Sequence, residues 1–197
     1  AGNIASSGTI TATGGLIIAN GANIGSVGDT DAISIASNGV VTFSQTPVGD
    51  NAGKIIQIVN VQTGAVATGT TNTVDDDTIP QKTEGTEFMT LAITPTNSSN
   101  KLMIEITANV SDDGGDILQM ALFQDDTANA LAAVADEGDF HRNITLRHFM
   151  TAGTTSETTF KMRAGGRNGT TTFNGIGSAR RFGGVCASSI TITEISV

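Results

Sequence analysis

The sequence predicts an all-β protein: a jelly-roll-like β-sandwich head over residues 54–197, preceded by a short β-rich stalk over residues 1–53. Three observations carry that prediction. Charged residues are 15% of the chain, against roughly 25% in an average globular protein, while Gly and Thr are plentiful, which favours strands over disorder. Apolar and polar residues alternate over short windows, the period of a half-buried strand. Turn residues recur at short intervals, and only one segment hints at helix.

The stalk reads first. Its 53 residues hold ten Gly, no Lys or Arg, and Phe43 as the single aromatic. Ala12-Thr13-Gly14-Gly15-Leu16-Ile17 matches Ala36-Ser37-Asn38-Gly39-Val40-Val41 at a spacing of 24, each a β-run, a Gly-containing turn and a second β-run. Asn38-Gly39 is a signal for a type I′ hairpin turn. Ile33 and Ile35, then Val41 and Phe43, alternate with small polar residues. Strands this short and small-sided cannot build a core alone, so the unit is expected to stack on copies of itself or on neighbouring chains. Residues 45–53 form the boundary by their turn chemistry.

The head supplies strand-like runs at Lys54 to Gln62, Glu87 to Thr94, Lys101 to Val110, Ile117 to Gln124, Asn143 to Thr151, Glu157 to Ala164, Thr170 to Asn174 and Ser189 to Val197. Leu102, Ile104, Ile106, Ala108 and Val110 alternate with Met103, Glu105, Thr107 and Asn109, and Ile190, Ile192 and Glu194 with Thr191, Thr193 and Ile195, the register mixing at the end of the second run. The Ala-rich Asp126 to Asp136 reads as a helical turn. About eight strands with almost no helix fit a jelly roll of two four-stranded sheets.

Charge then narrows function. A net charge of −9 argues against nucleic-acid binding, which needs clustered Lys and Arg. No window approaches the roughly 20 apolar residues of a membrane span, so no membrane insertion is expected. Of the 19 acids, 14 lie from Asp75 to Asp139, and 7 of the 10 bases lie from Arg142 to Arg181. These segments read either as two solvated faces or as patches that meet across a subunit boundary. Cys186 is the single cysteine, which excludes an intrachain disulfide and reads as a small buried filler. The chain opens on Ala1 with no Met and no signal-peptide pattern, which reads as a piece of a longer polypeptide.

No nucleophile, phosphate-loop or metalloprotease motif is present, and no catalytic residue is expected. Asp75-Asp76-Asp77 and Asp112-Asp113-Gly114-Gly115-Asp116 each cluster three carboxylates, in loops that leave the same end of a simple sandwich. Convergent carboxylates suit Ca²⁺, although the second loop lacks the spaced acids and closing Glu of a calcium loop. The expectation is therefore no cofactor, with Asp75, Asp76, Asp77, Asp112, Asp113 and Asp116 as the residues that would hold Ca²⁺ if any did. A glycosidase would want subsites lined with aromatics, and Trp and Tyr are absent. His141 and His148 are seven apart and fall on opposite faces of an alternating strand.

The best local binding candidate is Asn174 to Gly184, where Gly frames Arg180, Arg181 and Phe182. Two planar guanidinium forks beside an aromatic suit carboxylate or phosphate groups. The competing reading has the two Arg paired with a neighbouring subunit's acids. Arg180, Arg181, Phe182, Asp112, Asp113 and Asp116 are the candidate receptor contacts.

Four passages carry a resemblance. Leu91 to Ile104 runs strand, Thr94-Pro95, a Ser/Asn turn, Lys101, strand; Leu122-Phe123-Gln124-Asp125-Asp126 runs from a strand into a polar turn; Thr158 to Ala164 and Ser188 to Ile195 follow as strands. In these, and in its Gly/Ser/Thr repeats, the chain resembles the C-terminal head region of phage tail fibres and related virion fibre proteins. It departs from that pattern in lacking Tyr, with Phe160 at one such position. The resemblance implies a homotrimer, found on the virion or otherwise extracellular, whose distal head binds a host cell-surface glycan or protein and whose other partners are virion proteins. The alternatives are a purely structural capsid or filament component and a bacterial surface adhesin, neither of them an enzyme.

Overall fold

The computed structural model describes residues 23–26, 29–43, 53–114, 117–137 and 141–197. The chain divides into two compact units, Ala1–Asp50 and Asn51–Val197. The described part of the first is an antiparallel sheet of β1 (Asn23–Ser26), β2 (Asp29–Ile35) and β3 (Val41–Phe43) in that order. Ile33 lies opposite Phe43 and Ile35 opposite Val41, so the alternation read from sequence is the pairing register. The hairpin at Asn38-Gly39 is present, but its turn is not type I′. Gly39 N–H donates to Ala36 and Ala36 N–H to Val40 (both 2.9 Å), and only Gly39 has positive φ (82°). That is a β-turn closed by a left-handed glycine, the three-residue hairpin loop with a bulge. The repeat copy at residues 12–17 lies outside the described residues.

The second unit is built from β4 (Ile55–Thr63), β5 (Ala67–Gly69), β6 (Thr86–Ile93), β7 (Lys101–Asp112), β8 (Ile117–Gln124), β9 (Ala132–Glu137), β10 (Arg142–Thr151), β11 (Thr158–Gly166), β12 (Thr171–Phe173), β13 (Gly175–Ile176), β14 (Ala179–Arg180) and β15 (Ser188–Ile195). One sheet runs β4-β15-β7-β10, with the short β5 and β12 extending it beside the far end of β7. The other runs β6-β11-β8-β9. Leaving out the short strands and numbering the eight long ones in chain order gives 1-8-3-6 against 2-7-4-5, the double Greek key of a jelly roll. All their ladder pairings are antiparallel.

The two sheets share one core. Leu102, Ile104, Ile106, Ala108 and Val110 of β7 and Ile190 and Ile192 of β15 face Leu118, Met120 and Leu122 of β8 and Phe160, Met162 and Ala164 of β11. Removing these from water supplies the main driving force for the fold, at about 25 cal/mol per Å² of apolar surface. Each lies on the even-numbered face that period-two alternation predicts.

β8 breaks the alternation, because Ile117, Gln119, Ala121 and Phe123 on its second face are buried as well. The cover is the connection from β5 to β6. Thr73 N–H donates to Gly166 (2.9 Å), Ala130 N–H to Pro80 (2.9 Å) and Lys82 N–H to Ala128 (2.8 Å), so residues 73–82 are tied across the outside of the four-stranded sheet. The loop closes where Gly85 N–H reaches Asn72 (3.0 Å) and Glu84 accepts from the backbone of Val74 (3.1 Å) and Gln81 (3.0 Å). The acidic loop that carries Asp75, Asp76 and Asp77 is therefore largely a packed strap with exposed acids.

The helical turn expected over Asp126 to Asp136 is not there. Ala132–Glu137 is instead strand β9, paired with β8 from Leu122 opposite Ala132 to Ile117 opposite Glu137. Alanine's helix preference amounts to a few tenths of a kcal/mol per residue, which a ladder of backbone hydrogen bonds at a sheet edge overrides.

Candidate functional site

Phe173, the last residue of β12, lies opposite Val110, and Ser189 of β15 lies opposite Thr107, on the same side of β7. Residues 174–187 thus leave the line of one strand and return to it. Asn174 fixes the point of departure. It is fully buried with φ 56°, a left-handed conformation that asparagine tolerates better than most residues. Its side-chain amide donates to the carbonyls of Thr63 (2.8 Å) and Ala65 (3.0 Å), its oxygen accepts from Ser188 Oγ (2.7 Å), and its N–H reaches Asn109 (2.8 Å). Asn109 completes the neck by donating its N–H to Ser188 Oγ (2.8 Å) and its amide to Ala187 (2.7 Å).

Within the loop, β13 and β14 form a hairpin whose turn residues Gly177 and Ser178 both have positive φ (54° and 65°), the type I′ geometry. Two overlapping tight turns with positive φ follow at Phe182–Gly184, where Gly184 N–H donates to Arg181 (3.0 Å) and Val185 N–H to Phe182 (3.2 Å). Gly184 lies directly on Gly64, where any Cβ would run into the Gly184 carbonyl. Phe182 itself has φ 46° and Gly183 φ 65°. For a bulky side chain that backbone costs on the order of 1–2 kcal/mol, a strain that surrounding contacts must hold.

The tip carries the residues singled out in the sequence. Arg180 and Arg181 are exposed, Phe182 is 75% exposed and Val185 83%. The chain has no Asp or Glu between Glu157 and Glu194. Neither guanidinium takes part in an ion pair with an acid among the described residues, whereas Lys82, Arg147, Arg163 and Arg167 each do. His141, just before β10, places Nε2 3.6 Å from Cys186 Sγ at the foot of the loop. Burial lowers the His141 pKa from its ordinary value, and the nearby Arg181 charge lowers it further. Near neutral pH the positive charge of the patch is that of the two guanidinium groups.

The acidic candidates fall elsewhere. Asp75 pairs with Arg167, and Asp76 Oδ1 accepts from Thr78 N–H (2.8 Å). Asp76 and Asp77 line an open groove of about 400 Å³ with Ile79, Pro80 and Leu131. Asp112 accepts from Gly114 N–H (2.9 Å) and Thr171 Oγ1 (2.9 Å), and Asp113 from Thr170 N–H (2.5 Å). Both acidic loops flank the turn between β11 and β12 and so leave the same end of the sandwich, yet Asp112 and Asp113 are spent on holding that turn. Asp116 lies outside the described residues. No three His, Cys, Asp or Glu side chains gather as a metal site among the described residues. His148 sits half-buried in β10, opposite Ile104.

No family model matches the sequence, and no curated protein does. Solved structures with a similar path include the C-terminal domain of EclA, a sugar-binding protein, at 12% identity and TM-score 0.33 over 68% of this chain and 83% of that one. The enzymatically active domain of tailspike protein 4 from bacteriophage CBA120 aligns at 17% identity and TM-score 0.26, over 64% of this chain and 20% of that one. VP2 of infectious bursal disease virus aligns at 8% identity and TM-score 0.32, over 80% and 40%. Likeness at this level says nothing of what this chain binds. Among the described residues no helix is long and apolar enough to cross a membrane.

Sequence reading found the tip of the loop and missed its neck. Asn174-Gly175 after a strand signals a turn, but nothing local shows that Asn174 and Ser188 meet across residues 174–187. The approach of His141 to Cys186 is likewise a tertiary event that no local signal carries.

Proposed function

We propose that this chain is a non-catalytic attachment protein of a virion fibre, homotrimeric, whose jelly-roll head grips an anionic group on a host cell-surface glycan through the 174–187 loop. One observation carries the reading: among the described residues Arg180 and Arg181 stand without acidic partners beside Phe182, which is held outward at 75% exposure in strained backbone, on a protein of net charge −9. Two guanidinium forks address a carboxylate or phosphate, and the Phe182 ring offers an apolar face to a sugar. A rigid neck under a small binding tip limits the ordering cost of binding. Copies of one weak site in a homotrimer would add avidity without new contacts. No step of bond making or breaking belongs to this proposal; binding is the activity.

The test is retention of the intact protein on an array of neutral, carboxylated and phosphorylated oligosaccharides. Acidic sugars should be retained, and Arg180→Ala with Arg181→Ala should weaken retention at least tenfold, since a hydrogen bond to a charged group contributes about 1.5–3 kcal/mol. Equal retention of neutral sugars, or a double variant that binds as well as the parent, would remove this site from the proposal.

A further inference from the structure

The two sheets differ in how their outer faces are treated. The strap over residues 73–82 covers much of the four-stranded one, whereas among the described residues of Asn51–Val197 the six-stranded one carries no such segment. The pairing register sets Ile58 of β4, Thr193 of β15, Met103 of β7 and Phe149 of β10 side by side in one row across that face. Ile58 and Phe149 are each 56% exposed, and Ile56 continues the row's apolar end along β4.

The polar groups around this row are already matched between strands. Asn60 donates to Thr191 Oγ1 (2.9 Å), Arg147 pairs with Glu105 (2.6 Å), Lys101 donates to Thr151 (2.7 Å) and Asn143 to Asn109 (3.1 Å). What the face offers is therefore an apolar row framed by satisfied polar groups, the make-up of an interface core and rim. Its charged residues are Lys101, Arg147 and Glu105, so among the described residues it lacks the acid excess that Asp75, Asp76 and Asp77 give the strap over the other sheet, on a chain of net charge −9. Two such chains repel each other over most of their surface and least here. Strand β4 bounds the face, pairs among the described residues only with β15, and has no Lys, Pro or acid from Ile55 to Thr63 to blunt its edge.

We infer that the outer face of the six-stranded sheet, centred on Ile58, Met103 and Phe149, docks a second copy of this chain. The inference rests on the assembly in the proposed function and assigns it a surface. Arg147 and Glu105 are matched to each other and Lys101 is bonded to Thr151, so the exposed surface left to bury is the apolar row, which another copy of the same row complements.

The experiment is the native mass of the full chain by light scattering, for the parent and for Ile58→Glu, Phe149→Glu and Val185→Glu. The parent should run at a multiple of 20.0 kDa. Both sheet-face variants should fall toward the mass of one chain, and Val185→Glu, at the loop tip, should leave the multiple intact. A parent that stays at one chain's mass at every concentration overturns the assembly and this inference together. A parent multimer that neither sheet-face substitution disturbs leaves the assembly standing and overturns the assignment of the face. Should a variant misfold, carbene footprinting of the parent decides the matter: labelling of Ile58 and Phe149 should rise on dilution, and constant labelling would count against the face.

Discussion

Glu194 shows most clearly how a single side chain holds this fold. It is fully buried in β15 and has no basic partner; Gln57 Nε2 (2.6 Å), Asn100 Nδ2 (2.6 Å), Thr96 N–H (2.9 Å) and Thr96 Oγ1 (2.8 Å) all donate to it. Burial alone would raise its pKa, but those donors outweigh it and hold the carboxyl at about 2. The folded value lies below the ordinary 4.5, so the carboxylate adds stability above the unfolded value and loses it as pH falls toward the folded one. The amount is about 3 kcal/mol. Unfolding free energy should drop between pH 4.5 and 2, and Glu194→Gln should flatten that drop while costing roughly 2–4 kcal/mol at pH 7, both read from denaturant titrations. Alternation puts Glu194 in line with Ile190 and Ile192, but a carboxylate in that position gives no sign in the sequence that it is buried. The Thr94 to Lys101 turn was legible as a turn. That it closes over Glu194 was not, because the donors and the acceptor are more than ninety residues apart in sequence.

At the scale of elements, seven of the eight long strands were legible as strand-like runs, with the period-two signal clearest in β7 and β15. Two kinds of segment were misread for a shared reason: their structure is set by what they pack on. The Ala-rich β9 becomes a strand because β8 offers it a ladder. The acid-rich strap looks like a free loop until Thr73, Pro80 and Lys82 are seen bonded across the neighbouring sheet. The 174–187 loop depends in the same way on its neck. Asn174→Ala removes two part-buried amide bonds to the Thr63 and Ala65 carbonyls, a loss of roughly 1–3 kcal/mol. The loop should loosen before the sandwich does. Trypsin should then cut after Arg180 or Arg181 at least tenfold faster than in the parent while the core strands keep their amide-exchange protection; equal cleavage rates would show that the neck does not restrain the tip.

For the whole molecule, composition settled the class and topology settled the rest. Few charges and short alternating runs implied a sandwich, but the order 1-8-3-6 over 2-7-4-5 depends on long-range pairings that no window of sequence contains. Net charge acts at this scale too. With an isoelectric point near 4.4, the protein should be least soluble close to that pH, where repulsion between copies vanishes. The precipitate should be folded and should redissolve at pH 7 with its native circular dichroism. Glu194 supports this, since at about 2 its pKa lies well below the isoelectric point and it is still ionised there. Precipitate that redissolves unfolded would show that the sandwich fails before the surface charge does.

The neck of the 174–187 loop has a consequence for how such a protein can change. The two ends of the excursion lie against each other, Asn174 Oδ1 being 2.7 Å from Ser188 Oγ, while the ladders on either side continue along β7. Whatever sequence hangs between those two residues is therefore invisible to the register of the sheet. Natural selection, or a protein engineer, can lengthen, shorten or replace it as a cassette while the jelly roll beneath is inherited unaltered.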